Sequence, residues 1–151
     1  MFEVKLERVD TLRPKMQKLD SALNQKLVRQ ALTAGGRKIR DRARAIVSKH
    51  DDPKTGRQIA KNIVTRYRSK RSRQTGDVIV SVGVAYPKGP IPKGNPDDGV
   101  NTPHWHLLEL GTETMKAQPF LVPAATQEAA SLPQVIVDDL SKRLDKEVSK
   151  L

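Results

Sequence analysis

A chain of 151 residues with a formal charge of +11 is long enough to bury one core and too short for two domains of ordinary size, so a single domain over 1–151 is expected. It has no cysteine, which excludes disulfides and thiolate metal sites. The N-terminus shows no apolar run of the signal-peptide type and no stretch approaches the ~20 apolar residues of a membrane helix, so the expectation is a soluble protein made in the cytoplasm, without a membrane partner.

The charge is unevenly placed. Residues 1–73 carry 21 Lys or Arg against 7 Asp or Glu, whereas residues 74–151 carry 7 against 10. Such asymmetry points to an anionic partner for the first half, either DNA or an acidic protein surface.

The chain opens on a strand pattern over residues 2–9, in which Phe2, Val4 and Leu6 alternate with charged residues. A short segment from Leu12 to Leu19, interrupted by Pro14, precedes the longest predicted helix. That helix runs from Ala22 to about Ser48 and is capped by Asp20 or Ser21. Leu23, Leu27, Ala31, Gly35, Ile39, Ala43 and Ile46 recur at helical spacing and define its buried stripe. Lys26, Arg29, Arg37, Arg40 and Arg44 form the opposite, basic face, which is either a solvated surface or a contact for an anionic partner. Gly35-Gly36 costs helix propensity, a cost that close packing against another element, or a kink, would explain.

Asp51, Asp52 and Pro53 end the helix, and Thr55-Gly56-Arg57 begins a short turn reaching about Lys61. Two strands follow, over 62–69 and 76–86, with Ile63, Thr65 and Tyr67 alternating in the first and Val78, Val80, Val82 and Val84 in the second. They read as an antiparallel hairpin with a basic tip at 69–76. Lys70, Arg71 and Arg73 of the tip join Arg66 and Arg68 as the strongest local basic patch. Aromatic residues that would stack nucleic-acid bases are missing there, apart from Tyr67. Residues 87–103 hold five Pro and three Gly and read as a flexible projecting loop.

The densest run of specific residues lies between His104 and Ala124. His106 to Leu110 suits one or two helical turns ended by Gly111, Thr112 to Ala117 a tight connector, and Pro119 the first turn of a new helix that buries Phe120, Leu121 and Ala124. Glu109 stands between two leucines. It is either a solvated helix position or a clasp accepting hydrogen bonds from backbone N–H groups of the 112–118 loop. His104 and His106 would share a face on a strand but not on a helix, and no further ligand cluster accompanies them, so no metal is expected. Beyond the corner, Ser131 can cap a last helix after a break at Pro133, with Val137, Leu140, Leu144, Val148 and Leu151 on its apolar side.

Glu109-Leu110-Gly111-Thr112, then Met115, then Ala117-Gln118-Pro119-Phe120-Leu121 and Pro123-Ala124, form a pattern that resembles the tail-completion (tail-to-head joining, or neck) proteins of long-tailed bacteriophages. Thr55-Gly56-Arg57 after a long basic helix, and the Val82-Gly83-Val84 strand, are similar to elements of that family, so the resemblance spans most of residues 1–130. Leu110 stands where the family often has an aromatic residue, and Val122 where it often has a basic one. The resemblance implies a structural virion protein at the head–tail junction, assembled in the host cytoplasm. It also implies a homo-oligomeric ring, expected to be hexameric, between a head-completion or connector protein and a tail-terminator or tail-tube protein, with DNA in its channel. Glu109, Gly111, Thr112, Met115, Gln118, Pro119 and Phe120 would then form a structural corner or subunit interface.

The expected fold is α+β, a small and mainly antiparallel sheet packed against one long helix and C-terminal helices. No enzymatic constellation is present: there is no cysteine nucleophile, no nucleophile elbow and no phosphate-binding loop, and no cofactor is expected. The competing reading is a basic nucleic-acid-binding protein that grips phosphates with Arg37, Arg40 and Arg44 of the helix and with Arg66, Arg68, Lys70, Arg71 and Arg73 of the hairpin.

Overall fold

The computed structural model describes residues 6–51, 58–85 and 102–151. In chain order its elements are α1 (Val9–Gln17), α2 (Ser21–Val47), α3 (Ile59–Asn62), β1 (Ile63–Tyr67), α4 (Ser69–Thr75), β2 (Val80–Val84), α5 (Trp105–Leu110), α6 (Leu121–Glu128) and α7 (Leu132–Val148). β1 and β2 form a two-stranded antiparallel sheet, and the architecture is α+β with helices predominating.

The strand expected over 2–9 is not seen where the structure can test it. Residues 1–5 lie outside the described residues, Arg8 takes a left-handed φ of 68°, and Val9 already begins a helix. α1 continues through Pro14 instead of breaking there. The bond that proline forfeits would have gone to the carbonyl of Asp10, an exposed residue where solvent can take the donor's place. Thr55-Gly56-Arg57 and the loop over 87–101 also lie outside the described residues.

α2 is the 27-residue helix the apolar stripe predicts, roughly 40 Å long. Asp20 is its cap: the carboxylate accepts the N–H of Leu23 at 2.7 Å. Leu27, Ala31, Gly35, Ala43 and Val47 are buried along it, while Leu23, Ile39 and Ile46 are half-buried.

The chain divides into two compact units. The first comprises Met1–Lys38, Arg66–Ser81 and Glu128–Leu151. Its core is Leu12 of α1, Leu27 and Ala31 of α2, and Leu140 and Leu144 of α7, flanked by Met16, Leu19, Val28, Ile136 and Val137. Lys15 ties α1 to α7 through Asp145 at 2.6 Å. The serine at the α7 start does not cap it as expected: the Ser131 hydroxyl donates to the carbonyl of Glu128, and Pro133 sits inside the first turn, where no N–H is needed. Leu151, expected on the buried side of α7, is exposed.

Gly35 earns its place in this unit. A Cβ there would lie 2.7 Å from Cγ1 of Ile136 and 3.2 Å from Cδ1 of Leu132, so α2 and α7 approach too closely for a side chain. Replacing Gly35 with Ala adds ~1 kcal/mol of helix propensity but overpacks the contact at ~1–3 kcal/mol. A modest net loss of stability is expected for Gly35→Ala and a larger one for Gly35→Val in denaturant melts followed by circular dichroism. Stabilisation by both would show that the contact yields freely.

The second unit comprises Ile39–Thr65 and Val82–Gln127. Its core is Ala43, Val47, Ile63, Phe120 and Ala124, with Ile39, Ile59, Val82, Val84, Trp105 and Leu108 against it. Asp51 caps α3, accepting the N–H groups of Ile59 and Ala60 at 2.8 and 3.2 Å. The strands are shorter than expected. Bonds from Ala85 N–H to Asn62 and from Arg68 N–H to Ile79 fix a register in which Ile63, Thr65 and Tyr67 share a face with Val80, Val82 and Val84. Arg66 and Arg68 consequently point to the other face with Ser81.

Candidate functional site

Two groups of residues expected to carry function can be located in the structure, and they are built differently. The first is the corner from α5 to α6. α5 ends at Gly111, whose φ of 78° and ψ of 176° belong to a region essentially reserved for glycine. Its N–H reaches the carbonyl of Leu107 at 2.8 Å. A Cβ at this position would fall 2.7 Å from the amide nitrogen of Ala117 and 2.9 Å from the carbonyl oxygen of Met115, so the chain folds back directly over the glycine.

Glu109 is a clasp, with partners other than those expected. The residue is buried, 8% exposed. Oε2 accepts the N–H groups of Phe120 at 2.7 Å and Leu121 at 3.1 Å, and Oε1 accepts that of Val122 at 3.1 Å. These are free donors at the start of α6, and the next residue, Pro123, has none to offer. One carboxylate from α5 thus supplies the acceptors for the first turn of α6, and its negative charge sits at the positive end of the helix dipole.

The N–H groups of Thr112, Thr114, Met115 and Gln118 in the 112–118 loop bond to other groups. Thr112 N–H donates to Met115 O at 2.8 Å, the Thr112 hydroxyl accepts the N–H of Met115 at 3.0 Å, and Gln118 N–H donates to Leu108 O at 2.8 Å. Pro119 lies two residues ahead of α6 instead of in its first turn. Phe120 is fully buried and meets the Trp105 ring edge-on, with centroids 6.4 Å apart.

Part of the outer surface of the corner is apolar. Leu110 is 76% and Val122 65% exposed, and with Pro119, Pro123 and Thr126 they line a shallow groove over Glu109. Thr112, Met115, Gln118 and Pro119 are exposed on the same corner. His104 and His106 stand at the start of α5, not on a strand, so they do not share a face; Nδ1 of His106 lies 3.0 Å from the carbonyl of Pro103.

The second group is basic. On α2, Arg40 is paired with Asp41 at 2.8 Å, and Arg44 is half-buried, its Nη2 donating to the carbonyl of Ile63 at 2.8 Å. Arg37 is exposed. The expected row of three free arginines on this helix is therefore reduced: Arg44 serves the core of the second unit. The expected hairpin tip is also corrected, since residues 69–75 form α4, closed by Gly76 at φ 80°. Lys, Arg and Gln favour helix, and glycine supplies the left-handed stop.

Arg66, Arg68, Lys70, Arg71 and Arg73 are all exposed around α4 and the end of β1. Nε of Arg68 donates to the Ser81 hydroxyl at 2.6 Å, and Nε of Arg73 to the carbonyl of Ser69 at 3.4 Å. Arg29, one helix away, lies over the Tyr67 ring at 5.1 Å.

Residues 10–111, more than half of the chain, match the HK97-gp10-like family, described as "Bacteriophage HK97-gp10, putative tail-component". The chain belongs to this family. It is a structural component of a phage tail, and its place is accordingly the virion. The matched range takes in α1 through α5 and ends at Gly111, so Glu109 and the glycine stop fall within it while α6 and α7 lie beyond it. No curated protein and no solved structure matches the chain. Among the described residues, no helix is long and apolar enough to cross a membrane.

Proposed function

We propose that this tail component is the tail-completion subunit: it assembles into a ring, of six copies on this reading, that joins the head connector to the tail and leaves a channel for DNA. Membership of the tail-component family carries the proposal. The corner adds support, because Leu110 and Val122 are large apolar side chains left in solvent on a backbone whose own hydrogen bonds are already met. Such a surface suits a rigid contact with a neighbouring subunit or an adjoining ring, either the head-completion protein or the tail terminator or tube.

Electron microscopy of particles made without the protein tests the role. DNA-filled heads and complete tails that fail to join, and that join when purified protein is added, are expected; joined virions in its absence would sink the proposal. The corner is tested separately by the double variant Leu110→Asp with Val122→Asp. It should keep the monomer's fold, read by Trp105 fluorescence, while losing both ring formation by light scattering and add-back joining. Normal rings from that variant would place the subunit contact elsewhere.

A further inference from the structure

We infer that Arg66, Arg68, Lys70, Arg71 and Arg73 form a docking surface for the phosphate backbone of duplex DNA, contacted without regard to sequence. The inference concerns the free chain and stands whether or not the chain joins heads to tails. Five cations fall within residues 66–73 with no acid among them, the nearest downstream being Asp77. Strand and helix set them in close succession: Arg66 and Arg68 lie on one face of β1, and α4 follows with Lys70 and Arg73 on one side and Arg71 turned toward Arg68 at its start. Tyr67, Arg68, Ser69, Lys70, Arg71 and Gln74 line a shallow concavity there.

The chemistry favours phosphate over an acidic protein surface for two reasons. First, Nε of Arg68 donates to the Ser81 hydroxyl and Nε of Arg73 reaches the carbonyl of Ser69, which leaves the terminal amines of both guanidinium groups for an external oxyanion. Second, arginine aside, protein interfaces are anchored by buried aromatic side chains, and this surface has no free one to offer. Tyr67 is its one large apolar group, and its ring already carries Arg29. A polar, strongly positive, anchor-free surface is the composition of a nucleic-acid contact. The same absence of stacking residues and of side chains suited to reading base edges makes the contact indifferent to sequence.

The test is the affinity of purified protein for a labelled random-sequence duplex, measured by fluorescence anisotropy between about 0.05 and 0.2 M salt. The triple variant R68Q/R71Q/R73Q is compared with K18Q/K142Q/K146Q, which removes the same charge from exposed positions outside either basic group. The first should weaken binding by more than about tenfold and lower the log–log salt slope by about 3, and the second should change affinity by less than about threefold. Because Arg68 also bonds Ser81, the double variant K70Q/R71Q, whose side chains hold no internal hydrogen bond among the described residues, repeats the test with a slope change of about 2. Equal losses in both triple variants, or wild-type binding that ignores salt, would overturn the inference. Poly-glutamate competing as well as duplex at equal charge would overturn it too and assign the surface to an acidic protein.

Discussion

Replacing Glu109 with Ala should destabilise the second unit by ~2–4 kcal/mol, because three backbone N–H groups at the start of α6 lose their acceptor at once. The Phe120 N–H is the most costly of the three, being buried where water cannot readily replace the carboxylate. Leu121 and Val122 are partly buried and recover some solvation, which keeps the total below three full desolvation penalties. Glu109→Gln separates charge from geometry. Its single oxygen can keep the two bonds made by Oε2, but the amide then presents a donor to the Val122 N–H, so a loss of ~1–2 kcal/mol is expected. Trp105 is the only tryptophan and packs on Phe120, so denaturant melts followed by its fluorescence report on this unit. An Ala variant with an unchanged midpoint would show that the three bonds contribute nothing net.

That carboxylate shows how far the sequence could be read. A glutamate between Leu108 and Leu110 is legible as either a solvated position or a buried acceptor, and the structure decides for the acceptor. Its partners were not legible. The 112–118 loop looks needy in sequence, yet Thr112 and the carbonyls of Leu108 and Met115 serve it through turns whose closure depends on backbone angles that no spacing rule encodes. Likewise α2 was readable from its stripe because one face repeats over 27 residues. The fate of Arg44 was not, since the carbonyl of Ile63 that it bonds is 19 residues away in sequence. α4 was missed for a local reason. Strand alternation on either side suggested a plain hairpin turn, although Lys70, Arg71, Arg73 and Gln74 are good helix formers and Gly76 is a ready stop. The family resemblance draws most on residues 109–124 and less on Thr55-Gly56-Arg57 and Val82-Gly83-Val84, whereas the match to the tail-component family covers 10–111 and takes in the latter two and only the start of the first.

Gly111→Ala is expected to cost ~3–5 kcal/mol, a large effect for one methyl group, because two penalties coincide. The first is conformational: φ 78° with ψ 176° is a region side chains avoid. The second is steric, since the added carbon would meet Ala117 N and Met115 O, both backbone atoms held by the fold and unable to swing aside as a side chain would. Gly76→Ala gives a milder reference, with a positive φ but neither the extended ψ nor the steric clash. Gly76 has a similar φ of 80° but an ordinary left-handed ψ of −4°, and nothing lies within 4 Å of its would-be Cβ, so a loss of only ~1–2 kcal/mol is expected. Trp105 fluorescence follows the Gly111 variant and circular dichroism the Gly76 variant, each against wild type in the same denaturant series. A clear excess for Gly111→Ala is expected from the glycine-only backbone and the steric contact together, and it would fit a corner held firmly enough to present Leu110 and Val122 to a neighbour. Equal losses for the two alanines would mean that the loop shifts aside to admit the methyl, and the corner could not then act as a fixed template for assembly.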